Sequence, residues 1–266
     1  MICGFIQSAA TSSFRYLLDE FGTDLHIGLA LCKLSASYSG SCIRVRRSSD
    51  NTEQDIGFDG DWLDEAALLS FCGSGNGFVH TRYDQSGGGR DFLNTTNSEQ
   101  PQIVASGSIY TKNGKPAIYY GGGVKKLKLA SYSPVSTAQF YSVHYLDSDT
   151  SVMWSKNAEG SFYLAVAENG SGSTPDGNAG SPSYFVNGSS VSATRDSLYD
   201  NQINVQKLLS IRSVATNAGA WTNLIDSYDF GGYEYGGYRQ LDVIYHSHTE
   251  ARADIEALIN ENYGIF

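Results

Sequence analysis

From residue 100 onward the chain breaks into short runs of β-branched and aromatic residues cut by glycine turns, and this rhythm restricts it to an all-β body. The runs are Gln102–Ala105, Pro116–Tyr120, Lys126–Leu129, Thr137–Tyr145, Ser151–Ser155, Ser161–Ala167, Tyr184–Val186, Val191–Thr194, Ile203–Val214, Thr222–Asp226 and Gln240–Tyr245. Turn signals lie between them at Lys112-Asn-Gly114, Gly121-Gly-Gly123, Glu159-Gly160, Asn169-Gly170, Asn187-Gly188 and Gly231-Gly232. Asn187-Gly188, between Tyr-Phe-Val and Ser-Val-Ser, is the strongest hairpin signal. Strands this numerous with only peripheral helices predict a two-sheet jelly-roll sandwich.

Composition agrees with that frame. The 266 residues are 41% hydrophobic and 17% charged, enough to bury a sizeable core and unlike a disordered chain. The net charge of −10 argues against duplex nucleic acid as a partner, because phosphate binding needs a basic surface. No apolar run is long enough to cross a membrane. Residues 1–10 lack the basic n-region of a secretory signal, so release by another route, such as within a virion, is expected. Cys3, Cys32, Cys42 and Cys72 show no metal-ligand spacing and read as reduced thiols, with a Cys32–Cys42 bridge as the alternative.

Residues 1–25 read as an N-terminal arm and 26–266 as the sandwich domain. In the arm, Phe14, Leu17, Leu18 and Phe21 fall at helical spacing after Ser12-Ser13. Gly28–Tyr38 is read as a short helix and Ile43, Val45 and Arg47 as one face of a strand hairpinned to Glu53–Phe58. Leu63–Cys72 is a helix capped by Asp61 and ended by Gly73, and a C-terminal helix runs from Thr249 to Tyr263. Asn169–Ser183 is read as an exposed polar tip.

Before the strand series, Gly77–Tyr83 runs into Asp84-Gln-Ser-Gly-Gly-Gly-Arg-Asp91, where three glycines call for positive φ or close backbone approach. Asp84, Gln85 and Arg90 could bind sugar hydroxyls through planar hydrogen-bond forks. Alternatively, Asp84 accepts the N–H groups of its own turn and pairs with Arg44 or Arg46. Gly87-Gly-Gly89 lacks the Lys-Ser/Thr of a phosphate loop.

Leu34-Ser-Ala-Ser-Tyr-Ser-Gly-Ser-Cys-Ile-Arg-Val-Arg-Arg-Ser-Ser-Asp-Asn51 and Phe78-Val-His-Thr-Arg-Tyr-Asp-Gln-Ser-Gly87 resemble the opening of the fungal α-L-arabinofuranosidase B catalytic domain and its bacterial and phage relatives. Asn113-Gly-Lys-Pro-Ala-Ile118, with Leu241-Asp-Val-Ile-Tyr245 and the closing helix, is similar to concanavalin A-like, laminin-G-type jelly rolls. The resemblance implies a concanavalin A-like sandwich. In the fungal family the nucleophile follows a vicinal Cys-Cys pair, and the corresponding stretch here, Val143–Thr150, has carboxylates but no such pair. No catalytic residue carries over.

Glycosidase chemistry needs two carboxyls about 5–10 Å apart. Glu159, Glu168, Asp147, Asp149 and Glu234 are available, unpaired by sequence alone. Trp154, Tyr233 and Tyr235 offer aromatic faces for sugar stacking, or else cover the sandwich edge or a subunit contact. No cofactor is implied, although Asp147-Ser-Asp149 and Asp226 through Asp229 could hold calcium. His246 and His248 read as helix-capping or solvent-facing groups rather than metal ligands.

The resulting expectation is a non-enzymatic phage tail, fibre or head-decoration protein on the virion surface. It would be made in the host cytoplasm, attached through its arm to other virion proteins and homo-oligomeric. It would bind a cell-surface glycan or serve as a structural subunit. The alternative is an arabinofuranosidase-like glycoside hydrolase.

Overall fold

In a computed structural model, the structure describes residues 14–121, 124–156, 163–218, 221–227, 235–247 and 251–266. In chain order, α1 (Leu17–Phe21) precedes β1 (Leu25–Ala30), β2 (Ile43–Arg47), β3 (Glu53–Ile56), and the short pair β4 (Phe58–Asp59) and β5 (Trp62–Leu63). Then come α2 (Glu65–Cys72), β6 (Gly77–Arg82), β7 (Phe92–Leu93), β8 (Gln102–Ala105), β9 (Ser108–Ile109), β10 (Thr111–Lys112), β11 (Lys115–Pro116), β12 (Ile118–Tyr119) and β13 (Lys128–Leu129). The second half contains β14 (Ala138–Leu146), β15 (Thr150–Ser155), β16 (Tyr163–Glu168), β17 (Gly180–Val186) and β18 (Ser189–Val191). It closes with α3 (Arg195–Gln202), β19 (Gln206–Val214), β20 (Leu224–Ile225), β21 (Gly237–His246) and α4 (Arg252–Tyr263).

Antiparallel pairing sorts the long strands into two layers, as the rhythm of the sequence predicts. One layer runs β18-β17-β19-β14-β21, with β1 and β12 end to end along the far edge of β21. The other runs β3-β2-β6-β7-β13-β20-β15-β16. At one corner β8 pairs with both β6 and β12 and joins the layers. The fold is therefore an all-β sandwich with few, short helices.

The main core fills the space between the layers. Phe140 lies opposite Ile211 on one neighbour and Ile244 on the other, and all three are fully buried. Each such side chain contributes about 1.5–3 kcal/mol of transfer free energy. A second cluster lies outside the first layer, where Tyr141, Val143, Leu241 and Val243 pack under Ile255, Leu258 and Ile259 of α4 and Leu17 of α1. Residues 14–21 thus dock on the chain's own sandwich.

Several local expectations change. Gly28–Tyr38 is not helical: its first part belongs to β1, whose apolar residues pair with the central strand β21. The α2 cap is Asp64, which accepts from Ala67 N at 2.8 Å, rather than Asp61. Asn169–Ser183 is not a free tip, because Gly180–Val186 is a strand and residues 170–174 are tied to α3. The helix α3 has no counterpart in the sequence reading. The Asn187-Gly188 hairpin forms, with both residues at positive φ. Cys32, Cys42 and Cys72 are free and buried, so the alternative Cys32–Cys42 bridge does not form. Cys3, Ser12, Ser13, His248 and Thr249 lie outside the described residues.

Candidate functional site

The Asp84 loop proves to be a clasp. Asp84 Oδ1 accepts from Gly28 N and Ser86 N, both at 2.9 Å, while Oδ2 accepts from Ser86 Oγ at 2.7 Å and Arg90 N at 3.1 Å. Gln85 accepts from Leu34 N and donates to the carbonyls of Ala30 and Cys32. Arg90 donates to His26 O at 3.1 Å. Gly87 and Gly89 take the positive φ that the turn needs. The forks expected to meet a sugar are spent on backbone, and Asp84 and Gln85 are buried. The expected pairing with Arg44 or Arg46 is absent: Arg44 binds Asp55, and Arg46 binds Gln100 and Asn51.

Trp154 and Tyr235 are likewise inside the sandwich, each 1% exposed, so neither presents a face to solvent. They flank the Arg239 guanidinium, 5.3 and 4.2 Å from their ring centroids. That guanidinium belongs to a buried charge network. Asp242 accepts from Arg82 at 2.6 Å and from Arg239 at 2.8 Å, one oxygen to each. Asp226 accepts from Tyr120 OH and from Leu127 N, and burial pushes its carboxyl up although Arg239 and Arg82 oppose the shift. Two arginines and two aspartates so placed balance each other in charge, which is what burial requires. Asp226 therefore faces guanidinium rather than calcium. Among the described residues no group of three His, Cys, Asp or Glu is placed to hold a metal. Tyr233, Glu159, Asp229 and Glu234 lie outside the described residues.

Two solvent-accessible carboxylates are tied to one helix elsewhere. The turn 147–149 leads from β14 in one layer to β15 in the other, and in the β15–β16 ladder Thr150 lies opposite Glu168. Asn169 N donates to Asp149 O at 3.1 Å, which sets Asp149 beside the end of β16. Helix α3 then holds both acids. Arg195 Nη1 donates to Glu168 Oε2 at 2.7 Å, and Tyr199 OH donates to Asp149 Oδ1 at 3.1 Å. Residues four apart on a helix are about 5–6 Å from one another at Cβ, so the two anchors are one turn apart on one face. Among the described residues Glu168 Oε1 and Asp149 Oδ2 have no hydrogen-bond partner. The Glu168 side chain is 25% exposed and Asp149 is exposed.

Local folding explains this arrangement. Thr194 caps α3 by accepting from Ser197 N, and Leu198 seats the helix in the core. Arg195 is braced by Thr174 O at 3.0 Å and Tyr163 OH at 3.2 Å. Tyr163 and Glu168 are five residues apart in β16 and in a regular strand would face opposite sides. Ala165, at φ 56°, breaks the alternation, and both side chains reach Arg195. Asp147, at the other end of the turn, is exposed as a residue, yet local desolvation pushes its carboxyl up, with Lys112 opposing. Glu168, Asp147 and Asp149 were all visible in the sequence, but their pairing depends on strand register. Arg195 and Tyr199 were missed because Arg195–Gln202 is mostly polar, with only Leu198 and Gln202 buried.

Comparison with known proteins bears on this geometry. Residues 30–127 match the family described as alpha-L-arabinofuranosidase B, catalytic. That stretch covers β2 to β12 and the Asp84 clasp, and Asp149 and Glu168 lie beyond it. No curated protein matches. Among solved structures, the chain is similar to a glutamate-to-glutamine mutant of a GH54 α-L-arabinofuranosidase soaked with 4-nitrophenyl α-L-arabinofuranoside, with TM-score 0.60 and 13% identity. It is similar to a GH54 α-L-arabinofuranosidase soaked with a cyclic sulfate inhibitor, with TM-score 0.57 and 16% identity. It is also similar to an arabinofuranosidase complexed with arabinofuranosyl-α-1,2-xylobiose, with TM-score 0.60 and 13% identity. Each match covers 93% of this chain and 64% of the other, so this chain aligns with under two thirds of their length. The likenesses are to a glycoside hydrolase fold and no phage or virion protein is among them, which overturns the expectation of a tail, fibre or head-decoration protein.

Proposed function

We propose that this chain is a glycoside hydrolase of the α-L-arabinofuranosidase type, with Glu168 and Asp149 as its working carboxylates. The observation that carries the reading is the mounting of both acids on one face of α3, each with one oxygen left for chemistry. Glu168, held by the Arg195 cation, acts as the nucleophile on the anomeric carbon. Asp149 takes the acid–base role and gives a proton to the departing glycosidic oxygen. It then takes a proton from the water that releases the sugar from Glu168. A direct-nucleophile mechanism of this kind needs the two carboxyl groups about 5–5.5 Å apart.

The test is turnover of 4-nitrophenyl α-L-arabinofuranoside. Glu168→Gln and Asp149→Asn should each lower kcat by about 10²–10⁴-fold while leaving the thermal midpoint in place. Equal turnover by either variant and the unaltered chain would sink the assignment.

A further inference from the structure

On the α4 side of the first layer, away from the Asp84 clasp, lies a cavity of about 320 Å³. Lys112, Tyr145, Asn204, Val205, Gln206 and Ile265 are among its lining residues. Gln206 is only 9% exposed, yet its Oε1 has no hydrogen-bond partner. Its orientation follows from its neighbour. Gln240 Nε2 donates to the carbonyls of Lys112, Lys115 and Pro116, which turns the Gln240 oxygen toward Gln206. Gln206 must answer with its own Nε2, and its oxygen is left over. A buried acceptor without a donor is unfavourable, and because this oxygen is sealed from solvent in the unliganded chain, a ligand hydroxyl or amide reaches it only by turning the Gln206 side chain toward the cavity.

The opposite chemistry is also present. The Lys112 ammonium lies 3.6 Å from the centroid of Tyr145 and 4.0 Å from that of Tyr238, and among the described residues it makes no hydrogen bond. Half-buried Tyr110 and Tyr119 extend the aromatic wall, 5.7 and 4.7 Å from Tyr238. Val205, 45% exposed, adds apolar surface to the lining. A donor, an acceptor and flat apolar walls together match a sugar ring, whose hydroxyls both give and accept while its C–H face packs on aromatic carbon.

We infer that this cavity is a second, non-catalytic carbohydrate site that takes one neutral sugar unit of a polysaccharide. The choice of polymer rests on the hydrolase reading of Glu168: it is the chain from which arabinofuranosyl residues are removed. The turn 147–149 connects the two places, since Asp147 acts on Lys112 and Tyr238 while Asp149 lies beside Glu168.

Affinity electrophoresis through gels containing soluble arabinoxylan tests the inference. The unaltered chain should be retarded, and Val205→Trp and Gln206→Leu should weaken that retardation at least tenfold. Val205 is exposed, so its variant remains informative even if Gln206→Leu fails to fold. Glu168→Gln, inactive under the hydrolase reading, should be retarded as strongly as the unaltered chain. Free migration of the unaltered chain, undiminished retardation of Val205→Trp, or lost retardation of Glu168→Gln would each overturn the second site. Retardation sensitive to Val205→Trp in a chain that hydrolyses no aryl arabinofuranoside would leave the cavity standing and remove the Glu168 assignment.

Discussion

Asp242 and Glu168 are both carboxylates bound to arginine, and they sit in opposite surroundings. Asp242 is 2% exposed and has both oxygens taken by guanidiniums. Glu168 meets one guanidinium through one oxygen, and its other oxygen has no hydrogen-bond partner among the described residues. The difference shows that charge pairing alone does not mark a reactive group. An acid whose lone pairs are all engaged inside a core holds strands together, whereas one held by a single edge and still wet can act on a ligand. Asp84 belongs with Asp242, since four donors occupy its two oxygens.

The contrast can be broken by experiment. Asp242→Ala leaves Arg82 and Arg239 without their shared anion, and should cost about 3–5 kcal/mol in denaturant unfolding. A loss below 1 kcal/mol would mean that water or Asp226 compensates. Arg195→Met frees Glu168, and should lower turnover about a hundredfold by misplacing the proposed nucleophile while stability changes little. A parallel collapse in stability would put Arg195 with the buried network instead.

Acid should reach the buried region before the rim. Burial lowers His144 to about 4, with Arg239 adding to the effect, against an ordinary value of 6.5. The unfolded chain therefore takes up this proton first. The group's stabilisation is complete above pH 6.5 and is lost as pH falls toward 4, amounting to roughly 2 kcal/mol at pH 5. The stacked rings of His26 and His246, also held to about 4 chiefly by burial, act in the same direction. Unfolding free energies at pH 7 and pH 5 check this, and equal values would contradict it. The smallest effect is expected at a control position: Asp64→Ala removes the α2 cap, costs about 1 kcal/mol and leaves turnover unchanged.

What the sequence disclosed divides along the same line. The two-layer architecture and the 187–188 hairpin follow from local turn chemistry, and so does the self-satisfied turn at Asp84. Gly28–Tyr38 resembles a helix in sequence because β1 is buried on both sides, so its apolar run carries no period-two signature. Glu168 and Asp149 could be named but not joined, since Thr150 opposite Glu168 is a fact of register. Arg195 left no apolar stripe to betray its helix.

One consequence follows from the shared mounting of the two acids. Arg195 and Tyr199 ride on a single rigid segment, so a displacement of α3 carries both jaws of the caliper together and conserves the gap between them. A change in that gap has to come from the ladder side, by altering how β15 registers with β16. Residues 150–155 and 163–168 are therefore where a redesign of the acid spacing would begin.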